Sequence, residues 1–204
     1  MKLIIFSGFL GAGKTVSILS LARYLSEAGD GETSKGYGSK AVILENEVGD
    51  VNYDQSMLRK SGYEIINMLA GCICCTLSND LLTQLREFIP WYNPEYVIFE
   101  PTGVAYPEAI SETAKESGVE LEWVRTVTVV DAARYEAIGD MVPHLMEAQI
   151  GAADTVLLNK VDLTDAKEIA AIREAVAGIN PGAALYEVNA KAGIPDEVFE
   201  RITR

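Results

Sequence analysis

The chain has 204 residues and a mass of 22.1 kDa, the size of one domain. Hydrophobic residues make up 49% and charged residues 23%, so the chain can bury a core and is not a disordered segment. Seventeen Lys and Arg stand against 30 Asp and Glu, a net charge of −13, which argues against nucleic acid and anionic lipid as partners, and no apolar run reaches the roughly 18–20 residues of a membrane span.

The N-terminal run Met1–Ser7 is too short, and too soon followed by glycines, for a secretory leader. It reads as a first strand, Lys2–Ser7, leading to a helix over Lys14–Glu27. Gly29–Ser39 is a Gly- and Ser-rich loop. Strands over Lys40–Glu45 and Glu64–Asn67 precede a helix over Thr76–Ile89. From there strands and helices alternate: strand Tyr96–Glu100, helix Pro107–Ser117, strand Val124–Val130, helix Val142–Gly151, strand Thr155–Leu158, helix Asp165–Ala177, strand Leu185–Val188 and helix Pro195–Ile202. Several strands are continuous apolar runs, as expected where both faces are covered. The alternation predicts an α/β fold, a three-layer, doubly wound, mostly parallel sheet formed as a single domain over residues 1–204, with its ligand at the C-terminal strand ends.

The first strand runs into Gly8-Phe9-Leu10-Gly11-Ala12-Gly13-Lys14-Thr15, the G-x-x-x-x-G-K-[ST] pattern of a phosphate-binding loop. A chance glycine turn needs neither the strand before it nor the helix after it. Gly8, Gly11 and Gly13 let backbone N–H groups curl around phosphate oxygens, with Ala12 and Val16 completing the loop. Lys14 reaches the terminal phosphates and Thr15 places its hydroxyl on Mg²⁺. About 140 residues further on stands Asn159-Lys160-Val161-Asp162. The Asp162 carboxylate can accept from N1–H and the 2-amino group of guanine, while adenine offers no such donors there. Lys160 can lay its stem over the base and Asn159 can tie neighbouring loops. Asn189, Ala190 and Lys191, at the end of a later strand, are placed to touch the base from the other side. These residues specify GTP.

Tyr96–Glu100 ends in Pro101-Thr102-Gly103. A carboxylate at this strand end holds Mg²⁺ in phosphate-loop hydrolases; here it is Glu100, and Gly103 can offer an N–H to a γ-phosphate. The acidic segment Glu45–Asp54 follows the second strand, and one of its carboxylates, Glu47, is placed to position Mg²⁺ or water. Lys14, Glu100 and Glu47 are thus the candidate catalytic residues. Cys72, Cys74 and Cys75 form a C-x-C-C run. Neighbouring cysteines make a strained disulfide, whereas three soft thiolates suit Zn²⁺, Cu⁺ or a similar ion and leave a fourth position open. Without a leader, such cysteines point to a reducing cytoplasm. His144, the only histidine, reads as a surface residue at a helix start, Asp131 as a cap or an acid behind the site, and Trp91 and Trp123 as packing residues.

Gly8–Thr15, Gly71–Cys75, Glu100–Gly103 and Asn159–Asp162 together resemble the CobW/HypB/UreG family of metallochaperone GTPases, and the cysteine run most resembles its CobW branch. The resemblance implies GTP hydrolysis coupled to delivery of a transition metal (Zn²⁺, Co²⁺ or Ni²⁺) or a metal-bearing cofactor such as a corrinoid. The recipient would be a target metalloenzyme or corrinoid protein, and the resemblance implies nucleotide-dependent homodimers. Thr15 and Glu100 match the family's Mg²⁺ residues, and Cys72, Cys74 and Cys75 match its metal motif. Two features depart from the CobW pattern. CobW-type proteins usually carry a second C-terminal domain and often a His-rich stretch, while this sequence reaches Arg204 with one histidine. The switch segment has Asn52 where the family usually has glycine. A switch or metal-storage module with negligible turnover shares the same motifs. A nucleotide kinase fits them less well, since it needs neither the cysteines nor a guanine-reading carboxylate.

Overall fold

Apolar runs that do not alternate need cover on both faces, and the sheet supplies it. The computed structural model describes residues 1–27, 41–45, 63–67 and 81–204. Seven strands, β1 (Lys2–Ser7), β2 (Ala41–Glu45), β3 (Tyr63–Asn67), β4 (Tyr96–Glu100), β5 (Trp123–Asp131), β6 (Thr155–Asn159) and β7 (Ala184–Val188), form one sheet in the order β3-β2-β4-β1-β5-β6-β7. All six ladders are parallel. β4 and β6 are buried along their whole length, whereas β7, at the sheet's edge, keeps Glu187 exposed.

The helices are α1 (Lys14–Glu27), α2 (Ile89–Tyr92), α3 (Pro107–Glu116), α4 (Tyr135–Met141), α5 (Pro143–Gly151), α6 (Ala166–Ile179) and α7 (Asp196–Thr203). In α1, Ile18, Leu21, Ala22 and Leu25 repeat at helical spacing. They pack with Val198, Phe199 and Ile202 of α7 on one sheet face, against Ile4, Phe6, Ile98 and Val129. The opposite face, with Leu3, Ile5, Val97 and Phe99, is covered by Leu81, Leu85, Ile89 and Ile110. Ile150 of α5 and Ile172 and Val176 of α6 continue that layer over Val156 and Leu158. The result is the three-layer arrangement expected from the sequence. Asp165 starts α6 by accepting from the N–H groups of Lys167 and Glu168 at 2.8 and 2.9 Å. Among the described residues no helix is long and apolar enough to cross a membrane.

Two expectations need correction, and one helix lies where none was expected. The helix predicted over Thr76–Ile89 is described only from residue 81, and it contains a π-helical turn at Gln84–Phe88 before continuing as α2. Pro90 explains the turn, because it has no N–H for the carbonyl four residues back. Trp91 does not pack: beside Pro90 it is 82% exposed. Trp123 does pack, with Arg125 stacked 4.3 Å from its ring and Tyr96 edge-on at 6.3 Å. Finally, α4 escapes the sequence pattern, since it buries only Ile138. His144 stands exposed at the start of α5, as expected.

The ring of Phe99 is fully buried in the centre of the sheet. Phe99→Ala should lower the unfolding free energy by about 3–5 kcal/mol, measured by denaturant titration; a loss below about 1 kcal/mol would mean that this layer repacks around the gap.

Candidate functional site

The loop between β1 and α1 passes so close to its neighbours that two of its glycines have no substitute. Gly8 has φ +130°, and a Cβ there would lie 2.2 Å from the Val129 carbonyl oxygen of β5. Gly13 has φ +105°, and its Cβ would lie 2.3 Å from Asn159 Nδ2. Ala12 is buried and donates its N–H to Phe9 O at 3.1 Å, so it shapes the loop from within. Lys14 opens α1 with its side chain almost wholly buried, its Nζ 3.9 Å from Glu100 Oε1. Thr15 Oγ1 donates to the same carboxylate, 2.9 Å from Oε1 and 3.1 Å from Oε2. Val16 packs its half-buried side chain on the core beneath.

On the other side of the loop, Asn159 ends β6 and ties two segments together. Its Nδ2 donates to Ala12 O at 2.8 Å, and its Oδ1 accepts from the Ala190 N–H at 2.9 Å. Lys160 takes the left-handed conformation at φ 65°, and its Nζ donates to Gly11 O at 2.8 Å and to Asp131 Oδ2 at 2.7 Å. Asp162 presents an exposed carboxylate from the single turn Val161–Leu163. Asn189 Oδ1 accepts from the N–H groups of Lys191 and Ala192 at 3.1 and 3.2 Å and sets the curve of that loop.

One cleft of about 440 Å³ gathers Gly11, Gly13, Lys14, Thr15, Val16 and Glu100 from the β1–α1 loop, the start of α1 and the end of β4. Asn159, Lys160, Asp162, Asn189, Ala190 and Lys191, from the ends of β6 and β7 and the loops after them, line it as well. Gly8, Ala12 and Gly103 stand outside this lining. A larger hollow of about 830 Å³ opens by the N-terminal ends of β5 and β6, among Arg125, Asp154, Asn180 and Arg201. No residue of the phosphate or base motifs reaches it. Glu47, Cys72, Cys74 and Cys75 lie outside the described residues, and among the described residues no cluster of three His, Cys, Asp or Glu could hold a metal.

Three features were not legible in the motifs. Glu45, the last residue of β2, is in register with Glu100. Burial, and then the charge of Glu100, push its carboxyl up to about 7. Buried Gln149 of α5 donates from Nε2 to the carbonyls of Gly103 and Ala105, both at 3.1 Å. That fixes the loop after β4, which lies on the phosphate loop: a Cβ on Gly103 would sit 2.6 Å from Leu10 N. Asp131 forms no cap on the turn that follows it; its carboxylate is wholly buried and accepts from Lys160 and Arg134. Of the two roles expected for it, the acid behind the site is the one observed. No local pattern announces these contacts, because each joins residues distant in sequence or, for Arg134, a turn that the sequence does not mark.

The chain belongs to the CobW/HypB/UreG family, whose nucleotide-binding-domain model matches residues 2–187. It is 31% identical over 202 residues to the zinc chaperone CobW of Sinorhizobium sp, covering 84% of this chain and 54% of that protein. It is 30% identical over 195 residues to the zinc-regulated GTPase metalloprotein activator 1 of Schizosaccharomyces pombe, covering 90% and 44%. The chain thus spans about half the length of the curated relatives it matches. The crystal structure of the Zn(II)-bound YjiA GTPase from E. coli superposes with a TM-score of 0.65 at 24% identity, covering 100% of this chain and 62% of that one, which places both in one fold.

The raised Glu45 carboxyl has a signed consequence. A carboxyl group whose folded value exceeds its unfolded one stabilises the fold while protonated, and that contribution disappears as pH rises through the folded value. Between about pH 5 and 8 the thermal midpoint of the nucleotide-free protein should therefore fall, and Glu45→Gln should flatten the decline. Parallel profiles for the two proteins would show that Glu45 does not titrate here.

Proposed function

We propose that this chain is a guanine-nucleotide-binding, GTP-hydrolysing metallochaperone domain, with residues 1–204 acting as one unit. Its cycle would be coupled to delivery of a transition metal, or of a metal-bearing cofactor, to a target protein. The observation that carries the reading is the meeting, in one cleft, of Lys14, Thr15 and Glu100 with Asn159, Lys160 and Asp162. The first set suits phosphates and a hard cation; the second suits a guanine edge.

Each residue has a role in this reading. The loop N–H groups and Lys14 bind the phosphates. The Thr15 hydroxyl and the Glu100 carboxylate, already in contact, form the oxygen donor set that Mg²⁺ prefers. Thr15 and Glu100 would hold that ion, which supplies charge neutralisation between the phosphate oxygens. Asp162 reads guanine, Lys160 covers the base, and Asn189, Ala190 and Lys191 close the pocket. Glu47 and the pair Glu45–Glu100 are the acids available to orient a water. No glutamine or arginine finger is evident in the sequence, so intrinsic turnover is slow.

The cargo metal is read as a substrate of the thiolates Cys72, Cys74 and Cys75. Cys72 follows β3 by five positions in the sequence, and Asn67, the last residue of β3, is in register with Glu45, itself in register with Glu100. A common strand edge is what would link nucleotide state to metal affinity, in either direction. Relatives named as zinc chaperones make Zn²⁺ the first ion to test, with Co²⁺ and Ni²⁺ next. A nucleotide-dependent homodimer in the cytoplasm, serving a metalloenzyme or corrinoid protein, completes the reading.

The decisive experiment is GTP turnover with and without Zn²⁺, Co²⁺ or Ni²⁺. Slow hydrolysis that responds to the metal is expected; tight GTP binding with no turnover under any condition would replace the enzyme with a switch or storage module. Asp162→Ala should weaken GTP by about 2–4 kcal/mol, roughly 30- to 1000-fold. Competition between GTP and ATP reports the selectivity, and equal affinity in the unsubstituted protein would remove the guanine assignment.

A further inference from the structure

Asp131 closes β5 with no side-chain exposure. One oxygen, Oδ2, accepts from two cations at once, Arg134 Nε at 2.6 Å and Lys160 Nζ at 2.7 Å. The other, Oδ1, is buried without a hydrogen-bond partner among the described residues. A buried carboxylate is costly unless it is paired, and both of its cations are tied to one other structure, the phosphate loop. Arg134 Nη2 donates to Leu10 O at 2.8 Å, and Lys160 Nζ donates to Gly11 O at 2.8 Å. Asn159 Nδ2 takes the next carbonyl, that of Ala12, at 2.8 Å. Three consecutive carbonyls of the loop are thereby held from one side by three side chains.

We propose that Asp131 and Arg134 are positioning residues for phosphate binding: the Asp131 carboxylate orients Arg134 and Lys160 so that, with Asn159, they draw the carbonyls of Leu10, Gly11 and Ala12 away from the phosphates. This rests on the nucleotide-binding reading of the cleft. In a trans peptide the C=O of one residue and the N–H of the next point in opposite directions, and the chain has no cis peptide among the described residues. Fixing the carbonyls of Leu10 and Ala12 therefore turns the N–H groups of Gly11 and Gly13 the other way. Both glycines line the cleft. A loop held in this state before binding has less conformational freedom to lose when phosphate arrives. It also presents fewer carbonyl oxygens to an anion. Gly11 takes part by what it lacks, since a Cβ on it would lie 3.2 Å from Arg134 Nη2. The residue therefore leaves room for the guanidinium over the loop.

Arg134 has a side chain 44% exposed, so its replacement should leave the fold standing. The test compares GDP and GMP binding, and GDP release, in the unsubstituted chain, Arg134→Ala, Arg134→Lys and Asp131→Asn. Arg134→Ala should weaken GDP about tenfold and speed its release, while GMP, which has no β-phosphate for the loop, changes by less than about twofold. A purely structural role would weaken both ligands equally. Arg134→Lys should recover part of the loss, because the charge remains but not the two-armed geometry. Asp131→Asn should weaken both GDP and GMP, since Lys160 loses its anchor as well. If Asp131→Asn does not fold, the split between GDP and GMP in Arg134→Ala still decides. With normal binding by the unsubstituted chain, an unchanged GDP affinity in Arg134→Ala, or equal losses of GDP and GMP, would overturn the proposal alone. If the unsubstituted chain binds neither nucleotide, the nucleotide reading falls and this proposal with it.

Discussion

The parallel sense of all six ladders is the constraint on which everything else in the molecule depends. It brings the C-terminal ends of seven strands to one edge, and the register fixes who stands beside whom. Glu45 is opposite both Asn67 and Glu100, and Asn159 is opposite both Asp131 and Val188. The strand order puts β1 between β4 and β5. The loop that leaves β1 therefore has an acid from each neighbouring strand end beside it, Glu100 on one side and Asp131 on the other. A different strand order with the same motifs would separate the loop after β1 from the loop after β6, and the two motifs would not share a cleft.

Those two acids are buried to similar degrees but are compensated differently. Glu100 accepts from the Thr15 hydroxyl, a neutral donor, and has Lys14 at 3.9 Å. Asp131 is bonded by two full cations at 2.6 and 2.7 Å. Charge-assisted bonds of that length fix geometry. The acid flanked by Arg134 and Lys160 is thus held in place by two cations that also bind the loop after β1.

Much of this was legible in the sequence. The β-rich runs, several of them continuously apolar, marked seven strands to within one residue at each end, and Gly8–Thr15, Glu100 and Asn159–Asp162 announced the cleft that the fold assembles. What escaped has physical causes. Helix α4 buries one residue and so leaves no periodic trace. The π turn before Pro90 follows from a missing donor that a hydrophobic pattern does not register. Glu45 looked like one carboxylate among several in an acidic segment. Its distinction is a strand neighbour, Glu100, that lies 55 positions away in the sequence. Gln149 and Arg134 carry no motif at all, since what matters is the carbonyl each one meets.

These unmarked contacts form a continuous path. Gln149 holds the carbonyl of Gly103, and Gly103 lies against Leu10 so closely that a side chain would not fit. The carbonyl of Leu10 is held by Arg134, Arg134 by Asp131, and Asp131 also holds Lys160, which returns to the loop at Gly11. The loop after β4 and the loop after β6 are therefore joined through the phosphate loop by side chains that stand, except for Lys160, outside the recognisable motifs. A ligand that moves Gly103 must work against a buried amide with two carbonyl partners, and a ligand that moves Lys160 must work against a buried carboxylate. The motif residues line the cleft, while this second set joins the loops at its two ends by direct contacts.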